Sequence, residues 1–208
     1  MKPLFPLLTA LLAMCINAHA QQNHSYDVFM AEAGENSVIY RGHRAMQYEF
    51  RYNGHQYWDS RRFEPGSVEY NGKTYSDILL NIDCCTQDLL AVFDNDLAAI
   101  VLDQDHVGDI RIGDRSFALS ETISPILPTR YVEVIDAKGT TLYRCRKKDL
   151  KKSSDAPNPA KLGYEVDNFN FNVNQYFSLR ESWYTERKGA LKKIGRSKAR
   201  KMIADEKR

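Results

Sequence analysis

From about residue 37 to residue 146, apolar and polar side chains alternate with a period of two, and turn-forming residues interrupt the alternation at short intervals. This is the pattern of antiparallel strands that bury one face. The clearest unit is Ser67-Val68-Glu69-Tyr70-Asn71-Gly72-Lys73-Thr74-Tyr75. Asn and Gly tolerate the positive φ angles of a type I′ turn, so the spacing predicts a two-residue hairpin. Tyr52-Asn53-Gly54-His55-Gln56-Tyr57-Trp58-Asp59 repeats the Tyr, Asn, Gly, Tyr and Asp of that unit 18 residues earlier and predicts a second hairpin. Two copies do not make a repeat architecture, which needs at least three to bury a core.

Further short strands are expected at Ile78–Ile82, Leu89–Phe93, Ala98–Leu102, Val107–Ile112 and Arg115–Leu119, the last two joined through Gly113-Asp114. Tyr131–Asp136 returns through Ala137-Lys138-Gly139 as Thr140–Arg146, with glycine where a left-handed residue is needed. The Lys-, Ser- and Pro-rich stretch 151–163 reads as an exposed loop, and 164–180 as further β-prone sequence. From Tyr184 the composition turns to Lys, Arg, Ala and Leu without proline, which predicts a helix. Its apolar stripe of Leu191, Ile194 and Met202 is narrow and broken by Lys198, and Gly189 and Gly195 weaken it. The expected fold is therefore mainly β, an antiparallel sandwich or strongly curved sheet over residues 21–183, with a basic α-helical tail over 184–208.

The N-terminus belongs to neither. Lys2, the apolar run Leu4–Met14 and Ala18-His19-Ala20 fit a signal peptide spanning residues 1–20, which predicts an exported, periplasmic or secreted protein. The competing arrangement is a lipoprotein box, Leu12-Ala13-Met14-Cys15, in which bulky Met14 stands where a small residue is expected. No later stretch is long and apolar enough to predict a membrane-spanning helix. Export places Cys84, Cys85 and Cys145 in an oxidising compartment. Adjacent cysteines close only a strained ring, whereas Cys145 with either of them would close a loop of about 60 residues, worth ~4 kcal/mol on the chain-entropy model. Buried free thiols are the alternative to that bridge.

Composition excludes disorder and collagen-like repetition: of 208 residues, 43% are hydrophobic and 27% charged. The formal net charge of +2 conceals a segregation. Residues 185–208 hold ten basic and three acidic residues, and 144–152 hold six and one. Without these segments and the leader the chain is strongly acidic, with eight aspartates against one arginine between Asp83 and Asp114. A basic tail suits an anionic surface. Nucleic acid is an unsuitable partner, because export removes the protein from it and no aromatic residue follows Tyr184 for base stacking.

The order of a signal peptide, Ser37-Val38-Ile39-Tyr40-Arg41-Gly42 before Tyr48, Gly66–Tyr75, Leu79-Leu80-Asn81-Ile82-Asp83, Tyr131-Val132-Glu133-Val134 and a Lys-rich end resembles a group of secreted proteins of Bacteroidota. No activity is assigned to that group, so the resemblance implies export and carries over no site residue. Cys84-Cys85 departs from it, standing where the group has polar or aromatic residues.

Motifs for catalysis are lacking. His24, His43, His55 and His106 make no H-x-x-x-H or H-E-x-x-H pair, and no G-x-S-x-G, P-loop or G-x-G-x-x-G occurs. Asp103–Asp114 imitates a calcium loop, but Val107 and Arg111 occupy ligand positions and its flanks read as strands. Neither a metal nor a cofactor is therefore expected. Two binding surfaces are: the aromatic pair Tyr57 and Trp58, whose alternative is a core role, and the tail cations Lys192, Lys193, Arg196, Arg200 and Lys201, whose alternative is ion pairing back onto the acidic body. The reading is an exported, non-catalytic envelope protein that binds an envelope protein or anionic surface. The alternative is an envelope or extracellular hydrolase with a site assembled from loops.

Overall fold

The computed structural model describes residues 37–48, 52–93, 98–152, 175–187 and 189–206. Residues 1–20, expected as a signal peptide, with Cys15 among them, His24 and most of the stretch expected as an exposed loop lie outside these. The chain divides into two compact units, residues 1–41 and 42–208. The described part of the first contains one 3-10 turn, Val38–Tyr40.

Among its described residues the second unit holds twelve strands: β1 (His43–Arg44), β2 (Tyr52–Asn53), β3 (Glu64–Tyr70), β4 (Lys73–Asp83), β5 (Asp88–Val92) and β6 (Ile100–Val101), then β7 (Val107–Ile112), β8 (Arg115–Leu119), β9 (Tyr131–Ala137), β10 (Thr140–Lys152), β11 (Gln175–Arg187) and β12 (Ala190–Ile194). A helical turn, α1 (Ser120–Ile123), follows β8, and α2 (Arg196–Glu206) follows β12. Eleven strands form one open antiparallel sheet in the order β1-β6-β5-β4-β3-β7-β8-β9-β10-β11-β12, and β2 pairs in parallel with β11. Of the two β architectures expected, the chain adopts the single sheet. No described helix is long and apolar enough to cross a membrane.

The Asn71-Gly72 hairpin forms as the spacing predicts, with φ of 53° and 70° and Tyr70 paired to Lys73. Lys138 and Gly139 make an equivalent turn between β9 and β10. The copy at Tyr52-Asn53-Gly54 is not a hairpin. Tyr52 and Asn53 pair with Gln175 and Tyr176, and Gln56 and Tyr57 pair instead with the end of β4. Matching residues were not enough, because the segment after Gly54 finds a stronger partner elsewhere in the sheet.

A second correction concerns the tail. Tyr184–Arg187 complete β11, the chain turns with Gly189 at φ 70°, and Ala190–Ile194 return as edge strand β12. Only Arg196–Glu206 is helical. Gly189 is thus a turn residue and not a flaw in a helix. Leu191, expected on a helical stripe, packs from the strand against Leu127, Val132, Cys145 and Tyr184.

The core is built by paired positions. Tyr75, Val68, Ile110 and Phe117 face one another across β4, β3, β7 and β8, and all four are buried. Leu80, Ile82 and Leu89 extend the apolar layer on β4 and β5, each worth about 1.5–3 kcal/mol on burial. β-Bulges interrupt the pairing at Gly66/Ser67 and between Val68 and Tyr70, which increases local twist. At Gly66 a Cβ would meet the Arg111 carbonyl oxygen at 2.2 Å. Gly66→Ala is therefore expected to lower stability by about 1–3 kcal/mol, read as a lower urea midpoint at unchanged slope; an unchanged midpoint would show that β7 yields without cost.

Candidate functional site

Directly paired residues of neighbouring strands point to the same face, so the register defines two rows across the sheet. The inner row runs Tyr75, Val68, Ile110, Phe117, Glu133, Arg144, Trp183 and Ile194. It is apolar as far as Phe117 and becomes ionic at Glu133. The outer row, one residue along, runs Ser76, Ser67, Arg111, Ser116, Val134, Tyr143, Tyr184 and Lys193.

Around the ionic part of the inner face, charges are paired within one lattice. The Glu181 carboxylate is its hub. Oε2 accepts from Nε of Arg144 and Nε of Arg146, each at 3.0 Å, and Oε1 accepts from the Trp183 indole N–H at 3.0 Å and lies 3.1 Å from Arg196 Nε. Arg144 also donates to Glu133 at 3.1 Å, Arg146 pairs with Asp59, and Arg115 joins Asp59 to Glu64. Four guanidinium groups thus meet four carboxylates. This balance makes burial tolerable, since an unpaired buried charge is far costlier than a paired one. Burial alone would push the Glu181 carboxyl up, but the Trp183 N–H and the two arginines hold it down to about 2. Glu133, ion-paired with Arg144, is shifted upward by burial.

The lattice also fastens the segment between β2 and β3 over this face. Arg146 donates to the Trp58 carbonyl, and Lys148 donates to the carbonyls of His55 and Tyr57. Lys148 has no carboxylate within ion-pair distance among the described residues, and burial lowers its pKa. His55 is pulled down to about 4 by burial and by the nearby Lys148 and Arg61, so it is neutral at pH 7.

The sequence-derived candidates separate clearly. Trp58 is only 2% exposed. Its ring meets Phe117 edge-on at 5.1 Å beneath the Arg146 guanidinium, 5.6 Å from the ring centre, so it belongs to the core. Tyr57 is half-buried, edge-on to Phe63 at 5.5 Å and stacked with His55. The aromatic pair offers no projecting platform. Cys84, Cys85 and Cys145 are free thiols, the alternative to a bridge through Cys145. Cys145 faces the Leu127 cluster, whereas the Cys84 carbonyl accepts from the Lys148 backbone N–H. Burial pushes the thiols of Cys84 and Cys85 up to about 12 and about 11, away from the thiolate form that nucleophilic chemistry needs. In the calcium-like stretch, Asp103 accepts from the Asp105 N–H, and Asp109 stands on β7. Among the described residues no three metal-ligating side chains converge.

The basic segment 144–152 is not one patch, because strand alternation turns Arg144, Arg146 and Lys148 inward. The tail cations differ among themselves too. Arg196 is held by Glu181, whereas Lys192 and Lys193 on β12 and Arg200 and Lys201 on α2 are exposed. None of these four has a carboxylate within ion-pair distance among the described residues. Sequence reasoning missed Glu181, Glu133, Asp59 and Arg115. The available signal was the spacing Arg144-x-Arg146-x-Lys148 in register with inward-facing Leu142.

Outside, a groove of about 490 Å³ crosses β4, β3, β7, β8 and β9, with Ser67, Glu69, Arg111 and Ser116 along it. Comparison with family models, curated proteins and solved structures finds no match to the chain.

Glu181→Gln is expected to cost about 3–5 kcal/mol at pH 7, as when one partner of a buried ion pair is removed. Because the folded carboxyl titrates below its unfolded value, its contribution is complete above pH ~4.5 and disappears as pH falls towards 2. Urea melts should therefore show the gap between the two proteins closing over that window, and a gap independent of pH would contradict the hub.

Proposed function

We propose that this is an exported, non-catalytic protein of the cell envelope that binds an anionic surface through the edge formed by β12 and α2. One observation carries the reading: Lys192, Lys193, Arg200 and Lys201 are exposed and without a carboxylate neighbour among the described residues, while Arg196 beside them is anchored. Of the five candidate cations, Arg196 is the one that pairs with a carboxylate among the described residues. The arrangement also suits an edge strand, whose free backbone groups invite unwanted pairing that lysine side chains discourage. Those lysines serve both purposes, because the solvation that deters another strand leaves their charge available to a polyanion.

Truncation after Tyr184 would cut β11 and is an unsuitable test. The variant with Lys192, Lys193, Arg200 and Lys201 all changed to glutamine leaves the sheet and the Glu181 lattice intact. With about 1 kcal/mol per charge near an anionic surface, the full-length protein is expected to lose roughly 10³-fold in binding to phosphatidylglycerol vesicles. Native binding should weaken with added salt. Equal co-sedimentation of the native protein and the variant would overturn the assignment of this edge.

A further inference from the structure

The outer groove carries polar side chains that the fold does not use. Arg111 is exposed in the middle of the sheet, and its direct neighbours across β3 and β8 are the small hydroxyl residues Ser67 and Ser116, not carboxylates. Asp109 lies two residues earlier on the same face of β7, and Glu69, in the bulge between the Val68–Ile110 and Tyr70–Val107 pairs, lines the same groove from β3. Yet no ion pair joins Arg111 to either, nor to any other described carboxylate. On the inner face the opposite rule holds, since Arg115 of β8 and the arginines of β10 are all matched by carboxylates. The outer charges are therefore available for a ligand.

Two glycines shape this place. Without a side chain at Gly66, β3 and β7 approach so closely that a Cβ would meet the Arg111 carbonyl oxygen at 2.2 Å. At Gly108 an added Cβ would lie 2.9 Å from the Glu69 carboxylate. The Glu69 side chain thus rests over bare backbone, which fixes one acceptor of the groove. At the β8–β9 end, Ala118 and Val134 supply a small apolar floor.

We infer that this groove binds a neutral polyhydroxylated chain, a linear oligosaccharide, lying across the strands. Sugar hydroxyls both donate and accept, so they satisfy separate carboxylates and a guanidinium fork at once. A polyanion would meet Glu69 and Asp109, and a cation would meet Arg111. The groove is open along its length over five strands, roughly 19 Å at sheet spacing, which suits a chain better than an enclosed small molecule. Ala118 and Val134 suit the C–H face of a sugar ring. This site is separate from the basic edge and does not depend on it.

Isothermal titration of the native protein with cellohexaose, maltohexaose and chitohexaose tests the inference. At least one is expected to bind with a Kd no weaker than about 10 mM. Arg111→Ala and Glu69→Gln, both surface changes, should each weaken that binding about 10-fold or more, and Gly108→Ala should weaken it by displacing Glu69. The glutamine variant of the four tail cations should bind the same sugar as native protein does. No binding by any of the three, or binding unaffected by Arg111→Ala in a variant with native circular dichroism, would overturn the inference. A preference for hyaluronan hexasaccharide over all three would overturn the neutral class.

Discussion

The structure depends on one carboxylate. Glu181 gathers Arg144, Arg146, Arg196 and the Trp183 indole within hydrogen-bonding distance, so β10, β11 and the start of α2 meet at a single buried anion. Arg146 carries the connection to Trp58 and Asp59, and hence to the segment that crosses the inner face. Where the inner row stops being apolar at Phe117, charge pairing takes over the task of holding layers together. Such pairing contributes less net stability than apolar packing of similar volume but is strict about geometry, because each missing partner strands a buried charge. The sheet thus has an apolar half that supplies stability and an ionic half that fixes what lies over it.

This division explains which surfaces are open. The inner arginines are fully engaged, the thiols of Cys84, Cys85 and Cys145 are shifted upward by burial, and Trp58 is packed under Arg146. Among the described residues, unpaired charge lies on the outer face and along the edge at β12. There Arg111, Lys192, Lys193, Arg200 and Lys201 carry charge that the fold does not neutralise among its described residues. The basic edge and the outer groove, with its two carboxylates and one guanidinium, offer different chemistry.

Much of the strand layout was legible. Val107–Ile112 and Arg115–Leu119 were readable to the residue, because alternation and Gly113 define both. Asn71-Gly72 was legible because its turn chemistry is local. The tail was not, since Lys and Leu between two glycines suit a helix by propensity, and only pairing with β11 makes Ala190–Ile194 a strand. The repeat at Tyr52-Asn53-Gly54 misled for the same reason. Charge counting by segment found the basic tail but misjudged 144–152, because a count along the chain ignores that successive strand residues face opposite ways. The hub itself was invisible: Glu181 lies 35 residues from Arg146 in sequence, and only register brings them together.

The central claim is that Glu181 couples the sheet, the crossing segment and α2 into one unit. Amide hydrogen exchange followed residue by residue in Glu181→Gln under native conditions addresses it most directly. The account predicts that protection falls together in Gln56–Asp59, in β10–β11 and at the start of α2. Loss confined to the immediate neighbours of residue 181, with Gln56–Asp59 as protected as in the native protein, would contradict it.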